Sequence, residues 1–191
     1  MIAPSHGIIW RSHIASVLEK CRLWSDNRPP RKAVVVYDTM WHATEEMAVA
    51  IVEAFSAAGV PTKLVNLSVS HLSDVMTDIL DARYVAVGSP TLNNNIMPNV
   101  AAFLAYFKGL SPKGRNAMAF GSYGCSGQSI GQVEQALTGA HCEIFCPMHR
   151  QRFLADGEAL PALGKSIVEG LQADGPEGGQ PSDGSACRRP P

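Results

Sequence analysis

Three continuous apolar runs constrain the fold of this chain most strongly: Ala33-Val34-Val35-Val36-Tyr37, Tyr84-Val85-Ala86-Val87-Gly88 and Ala117 to Gly121. A strand that faces solvent alternates apolar with polar residues, whereas a strand buried on both faces does not. Between these runs the period changes to that of helices. Met47, Ile51, Ala54 and Phe55 share one face of a helix from Thr44 to Ala58, which Gly59 ends. Val100, Phe103, Leu104 and Phe107 share a face of a helix that Pro98 opens. Weaker strands are expected at Thr62 to Leu67 and at Cys142 to Cys146. Further helices are expected at Leu72 to Leu80, around Ile130, Val133 and Leu137, and around Leu160, Leu163, Ile167 and Leu171.

Strands alternating with helices predict an α/β, doubly wound, five-stranded parallel sheet with helices on both faces. The expected strand order is 2-1-3-4-5, with the switch point between the first and third strands. This domain is expected over residues 31–172. Residues 1–30 form a lead-in, with a helix from Ser12 to Trp24 and a break at Asp26-Asn27-Arg28-Pro29-Pro30. Over 173–191 apolar periodicity stops and Gly, Pro, Ser and Asp dominate, a composition that predicts disorder.

Composition narrows the partners. Net charge is -1 and charged residues are 17% of the chain, so no basic face points to nucleic acid. The apolar runs are too short to cross a bilayer, and the start lacks a signal-peptide pattern. The expected location is the cytoplasm. Five cysteines (Cys21, Cys125, Cys142, Cys146 and Cys187), odd in number and irregular in spacing, argue against a disulfide framework. Cys142 and Cys146 read as apolar strand residues rather than zinc ligands.

Each of the three strong runs is followed by a polar loop. In an open parallel sheet, ligands bind beyond the carboxyl ends of the strands. The first loop, Thr39-Met40-Trp41-His42-Ala43-Thr44, leads into a helix N-terminus, where free backbone N–H groups and the helix dipole favour an anion. It carries neither the Gly-x-x-x-x-Gly-Lys of a P-loop nor the Gly-x-Gly-x-x-Gly of a dinucleotide site. Neutral donors there suit a terminal monophosphate; alternatively, Thr44 simply caps its helix. The second loop contains Pro90, Thr91, Leu92, Asn93 and Asn94, with amide groups for the polar edge of a planar ring; alternatively it is an ordinary turn. The third, Ser122, Tyr123, Gly124, Cys125, Ser126 and Gly127, combines close backbone approach at glycine with an aromatic ring; alternatively Ser126 caps the next helix. Taken together, the three loops describe a flavin mononucleotide (FMN) pocket.

The stretches Tyr37-Asp38-Thr39-Met40-Trp41, Val87-Gly88-Ser89-Pro90-Thr91-Leu92-Asn93-Asn94 and Ala119-Phe120-Gly121-Ser122-Tyr123-Gly124 resemble the flavodoxin-like domain of flavodiiron proteins. The resemblance runs from about Met1 to Leu171. It implies FMN binding and electron transfer from a rubredoxin-type or flavin reductase donor to a diiron centre that reduces oxygen or nitric oxide. It also implies possible homodimers. Ile2 to Arg11 resembles the end of the family's β-lactamase-like iron domain, and His6 matches its last iron ligand. The remaining ligands have no counterpart here, so a diiron centre is not expected in this chain alone, though a separate iron domain is a possible partner. Cys125 stands where the family commonly has Trp, and Ala43 where it has Ser or Asn. These two changes predict FMN affinity lower by about one to two orders of magnitude. Two competing readings are a small NAD(P)H-dependent flavin or quinone reductase and a truncated non-catalytic remnant.

Overall fold

The computed structural model describes residues 1–27, 29–153 and 158–175. In chain order the elements are α1 (Ile14–Ser25), β1 (Ala33–Tyr37), α2 (Ala43–Ala57), β2 (Thr62–Asn66), α3 (Leu72–Leu80) and β3 (Tyr84–Gly88). They continue with β4 (Thr91–Leu92), β5 (Asn95–Ile96), α4 (Pro98–Leu110), β6 (Asn116–Tyr123), α5 (Gln128–Gly139), β7 (Glu143–Ile144), β8 (His149–Arg152) and α6 (Ala159–Ala173). The main sheet runs β2-β1-β3-β6-β7, with β8 also paired to β6, and every pairing in it is parallel. This is the expected 2-1-3-4-5 order, with the switch point between β1 and β3.

The continuous apolar runs are buried on both faces because each residue serves one of two cores. Val34 and Val36 of β1 join Val85, Val87, Phe103, Phe107, Ile130 and Leu137 on one side. Ala33, Val35 and Tyr37 join Met47, Ile51, Phe55, Tyr84, Phe120 and Leu163 on the other. Helices α3, α4 and α5 cover the first core, and α2 and α6 the second.

Several elements differ from the sequence expectation. The fifth strand is split. Only Glu143–Ile144 of the expected Cys142–Cys146 segment pairs with β6; the chain then leaves and rejoins β6 at His149–Arg152. Pro147, which lacks an N–H donor, lies in the interruption. Cys142 and Cys146 flank β7 and are buried in opposite cores, and burial pushes both thiols up to about 11. They are free, as are Cys21 and Cys125; Cys187 lies outside the described residues. The second loop folds back as the β4–β5 hairpin. Its turn residues Asn93 and Asn94 both take positive φ, 49° and 63°, as a two-residue hairpin turn demands.

Helix α1 buries none of its residues, and Leu18 is 54% exposed despite its helical spacing with Ile14, Val17 and Cys21. It is tied to the domain by polar contacts: Lys20 Nζ pairs with Asp81 at 2.7 Å, and Trp24 Nε1 donates to the same carboxylate at 3.0 Å. At the other end, α6 runs to Ala173, and Asp174 pairs with Arg83 at 2.7 Å while accepting from the Tyr84 hydroxyl at 2.6 Å. Residues 173–175 are therefore built into the domain, and the rest of the expected tail, 176–191, lies outside the described residues.

Two buried phenols make stability sensitive to alkali. Burial first, and then hydrogen bonds to carboxylates, raise Tyr84 and Tyr37 to about 12, with Asp174 and Glu45 as the respective acceptors. An unfolded phenol titrates near 10. Their contribution to stability is thus fully present below about pH 10 and is lost as pH rises towards 12. Urea midpoints that fall over this window, tracked with phenolate absorbance, are the expected result. Midpoints that stay flat from pH 10 to 12 would count against it.

Candidate functional site

The carboxyl ends of β1, β3 and β6 open into one crevice of about 810 Å3, within the range of small-molecule sites. Met40, Trp41 and Ala43 of the first loop line it, as do Pro90, Thr91, Asn93 and Asn94 of the second. Ser122, Tyr123, Gly124, Cys125 and Ser126 form the third side, and Phe153 completes the lining. The sequence-expected loops therefore converge.

Hydrogen bonds between the loops set their spacing. Thr44 Oγ1 and Ser122 Oγ, both buried, lie 2.9 Å apart and join the first loop to the third. Ser126 Oγ donates to Asn94 Oδ1 at 3.0 Å, joining the third to the second. Beneath them, Thr91 and Ser129 share a 2.7 Å bond, and Ser129 donates to Ser89 O at 3.3 Å. Such a framework holds its walls before any ligand arrives, which lowers the ordering cost of binding.

The first loop is organised by acids. The buried Asp38 carboxylate accepts from Thr39 N–H at 2.8 Å and from Asn99 Nδ2 at 2.9 Å. Glu45, in the first turn of α2, accepts from the Tyr37 hydroxyl at 2.8 Å and meets His42 Nδ1 at 2.6 Å. The His42 bond is the main cause holding the Glu45 carboxyl below its usual range. His42 adopts φ 65° as the residue preceding α2, and its side chain is 80% exposed. Thr39 Oγ1 is buried without a hydrogen-bond partner.

Five expected site residues do not line the crevice: Thr39, His42, Thr44, Leu92 and Gly127. Thr44 is not the cap of α2; it lies inside the first turn with its hydroxyl turned onto Ser122. Ser126 is likewise not the cap of α5. Gly127 takes that place, and Ser126 spends its hydroxyl on Asn94. Gly127 packs beneath the Tyr123 ring, where a Cβ would stand 3.1 Å from it. Phe153 was not expected. It follows the polar strand β8, which carries no apolar signal, and only the pairing of β8 with β6 brings it to the crevice.

His6 is exposed, in a loop closed by the Ile2–Trp10 bridge. Among the described residues no group of three or more His, Cys, Asp or Glu side chains is placed to hold a metal ion. Nor, among them, is any helix long and apolar enough to cross a membrane.

A parallel sheet in this order, with a three-loop crevice at its switch point, defines a doubly wound nucleotide-binding α/β domain. The family model described as flavodoxin matches residues 35–173. This chain belongs to the flavodoxin family, and its flavodoxin-like domain is homologous to that of flavodiiron proteins. It is 46% identical over 171 residues to a nitric oxide reductase of Moorella thermoacetica, covering 87% of this chain and 43% of that protein. The structure of rubredoxin oxygen:oxidoreductase from Desulfovibrio gigas superposes with a TM-score of 0.78 at 36% identity, covering 83% of this chain and 40% of that one. A flavodiiron protein from Giardia intestinalis gives 0.76 at 29% identity, covering 90% and 45%. The chain thus spans less than half the length of these relatives.

Proposed function

We propose that residues 31–172 hold FMN in this crevice and serve as an electron-transfer module. The donor would be a rubredoxin-type protein or a flavin reductase, and the acceptor a diiron centre. One observation carries the reading: the three polar loops meet at the switch point around one crevice, which Met40, Ala43, Pro90, Thr91, Ser122 and Tyr123 line together. The loop from Thr39 to Thr44 would hold the phosphate through neutral donors. Pro90 to Asn94 would meet one side of the ring and its polar edge, and Ser122 to Gly127 the other side. FMN when bound supplies the redox chemistry; the chain's residues bind it, orient it and shield it from water. His6 has no role in this reading, and the cytoplasm is the proposed compartment.

The test is the visible spectrum of purified protein after FMN addition and filtration. A retained two-band flavin spectrum that bleaches on reduction is expected, and a colourless protein would overturn the reading. NAD(P)H oxidation by the protein alone would instead favour a reductase.

Cys125 lines the crevice as an exposed thiol with little stacking surface. Cys125→Trp is expected to tighten FMN binding about tenfold, since an aromatic stacking partner contributes roughly 1 kcal/mol or more. Unchanged affinity in a flavin titration would sink that expectation.

A further inference from the structure

At the rim of the crevice the chain holds a conformation it does not need for its core. Phe153 has φ 56°, which for a bulky residue is a genuine outlier. The residue is 62% exposed, so burial does not compensate for the strained backbone. Two hydrogen bonds and a cation–π contact hold Arg152 and Phe153 in place. Phe153 N–H donates to Tyr123 O at 2.9 Å, and Arg152 Nε donates to Gly124 O at 3.2 Å. The Arg152 guanidinium lies 5.1 Å from the centre of the Phe153 ring. Gly124 lies beside the ring, where a Cβ would make ordinary contact with the ring edge at 3.5 Å.

Backbone strain of this kind clusters at active sites and ligand clamps. Phe153 also has company. Trp41, 83% exposed, and Tyr123 line the same crevice from the other two segments. Three aromatic rings carried by three separate segments around one cavity complement a planar aromatic ligand.

We propose that Phe153 is a flavin-positioning residue, its ring locked by Arg152 as the wall that closes the crevice beside the third loop. This rests on the FMN reading above and adds a residue from outside the three loops. Phe153 directly follows β8, and its bond to Tyr123 together with the Arg152 bond to Gly124 ties that wall to the third loop.

The experiment compares wild type, Phe153→Gly and Phe153→Tyr, each as the full chain. Its readouts are FMN affinity, quenching of flavin fluorescence on binding, and thermal unfolding of the FMN-free protein, where ligand linkage does not contribute. Glycine adopts positive φ without strain, so Phe153→Gly relieves the backbone while deleting the ring. The expected result is an unfolding temperature equal to or above wild type, with FMN bound about tenfold more weakly and quenched less. Phe153→Tyr, which restores an aromatic ring, is expected to recover affinity and quenching. A lower unfolding temperature for Phe153→Gly would assign the ring to packing and overturn the proposal. So would wild-type affinity and quenching in that variant. Wild type that fails to bind FMN would remove the crevice reading itself, and the proposal with it, a result distinct from a wild type that binds alongside an unaffected variant.

Discussion

Gly121→Ala is expected to destabilise the protein by about 3 kcal/mol and to abolish FMN retention. Gly121 lies in β6, one residue before the crevice-lining Ser122. A Cβ on it would stand 2.0 Å from Ser89 O, 3.0 Å from Ser89 C and 3.1 Å from Ile130 Cγ1. The first two contacts are backbone, so no side-chain rotation relieves them. Relief requires β6 and the end of β3 to separate, yet Ser89 N–H donates to Phe120 O at 3.1 Å across that gap. The separation would therefore cost a sheet hydrogen bond and shift the second and third loops apart. Gly131→Ala in α5 is the control. Nothing lies within 4 Å of its Cβ position, and alanine in a helix interior is worth about 0.5–1 kcal/mol over glycine. Urea unfolding with unchanged slope separates the two variants. A Gly121→Ala protein with a wild-type midpoint and bound FMN would refute the close approach.

Asp174→Ala is expected to cost about 3 kcal/mol without altering FMN affinity. Asp174 and Arg83 form an ion pair at 2.7 Å, with side chains only 16% and 13% exposed. The same carboxylate accepts from Tyr84 OH at 2.6 Å. Tyr84 is fully buried at the start of β3, far along the strand from the crevice at its other end. Removing the carboxylate leaves a largely buried guanidinium and a buried hydroxyl without their acceptor, and such one-sided losses are severe. Asp174→Asn keeps an acceptor and should lose less. Because the Asp174 bond helps raise Tyr84 to about 12, the alanine variant should also lose stability at lower alkaline pH than wild type. An unchanged urea midpoint for Asp174→Ala would show that the clasp contributes nothing.

Much of this molecule was legible in its residues. Runs such as Ala33–Tyr37 and Tyr84–Gly88 have no polar face, so they require cover on both sides. Amphipathic segments between them supply that cover, and parallel connection follows. The three loops followed from position alone, because a loop after a central parallel strand sits at the open edge of the sheet. Pro90, Tyr123 and their neighbours were therefore placed at one crevice before any side-chain geometry.

Tertiary structure decided the rest. The polar run His149-Arg150-Gln151-Arg152 carries no apolar period, and it becomes a strand because the free edge of β6 accepts it. Phe153 reaches the crevice only through that pairing. The apolar spacing in α1 suggested a buried face, but spacing cannot say whether a surface exists to receive it, and none of its residues is buried. Asp174 stood at the head of a Gly- and Pro-rich stretch, yet Arg83 and Tyr84, about ninety positions earlier, hold it in place. Within the first loop, the left-handed backbone at His42 turns its ring to solvent and Thr44 inward to Ser122. Residue type sets what each group can bond to. Which partner it meets depends on strand pairing and backbone dihedrals, which residues distant in the chain determine together.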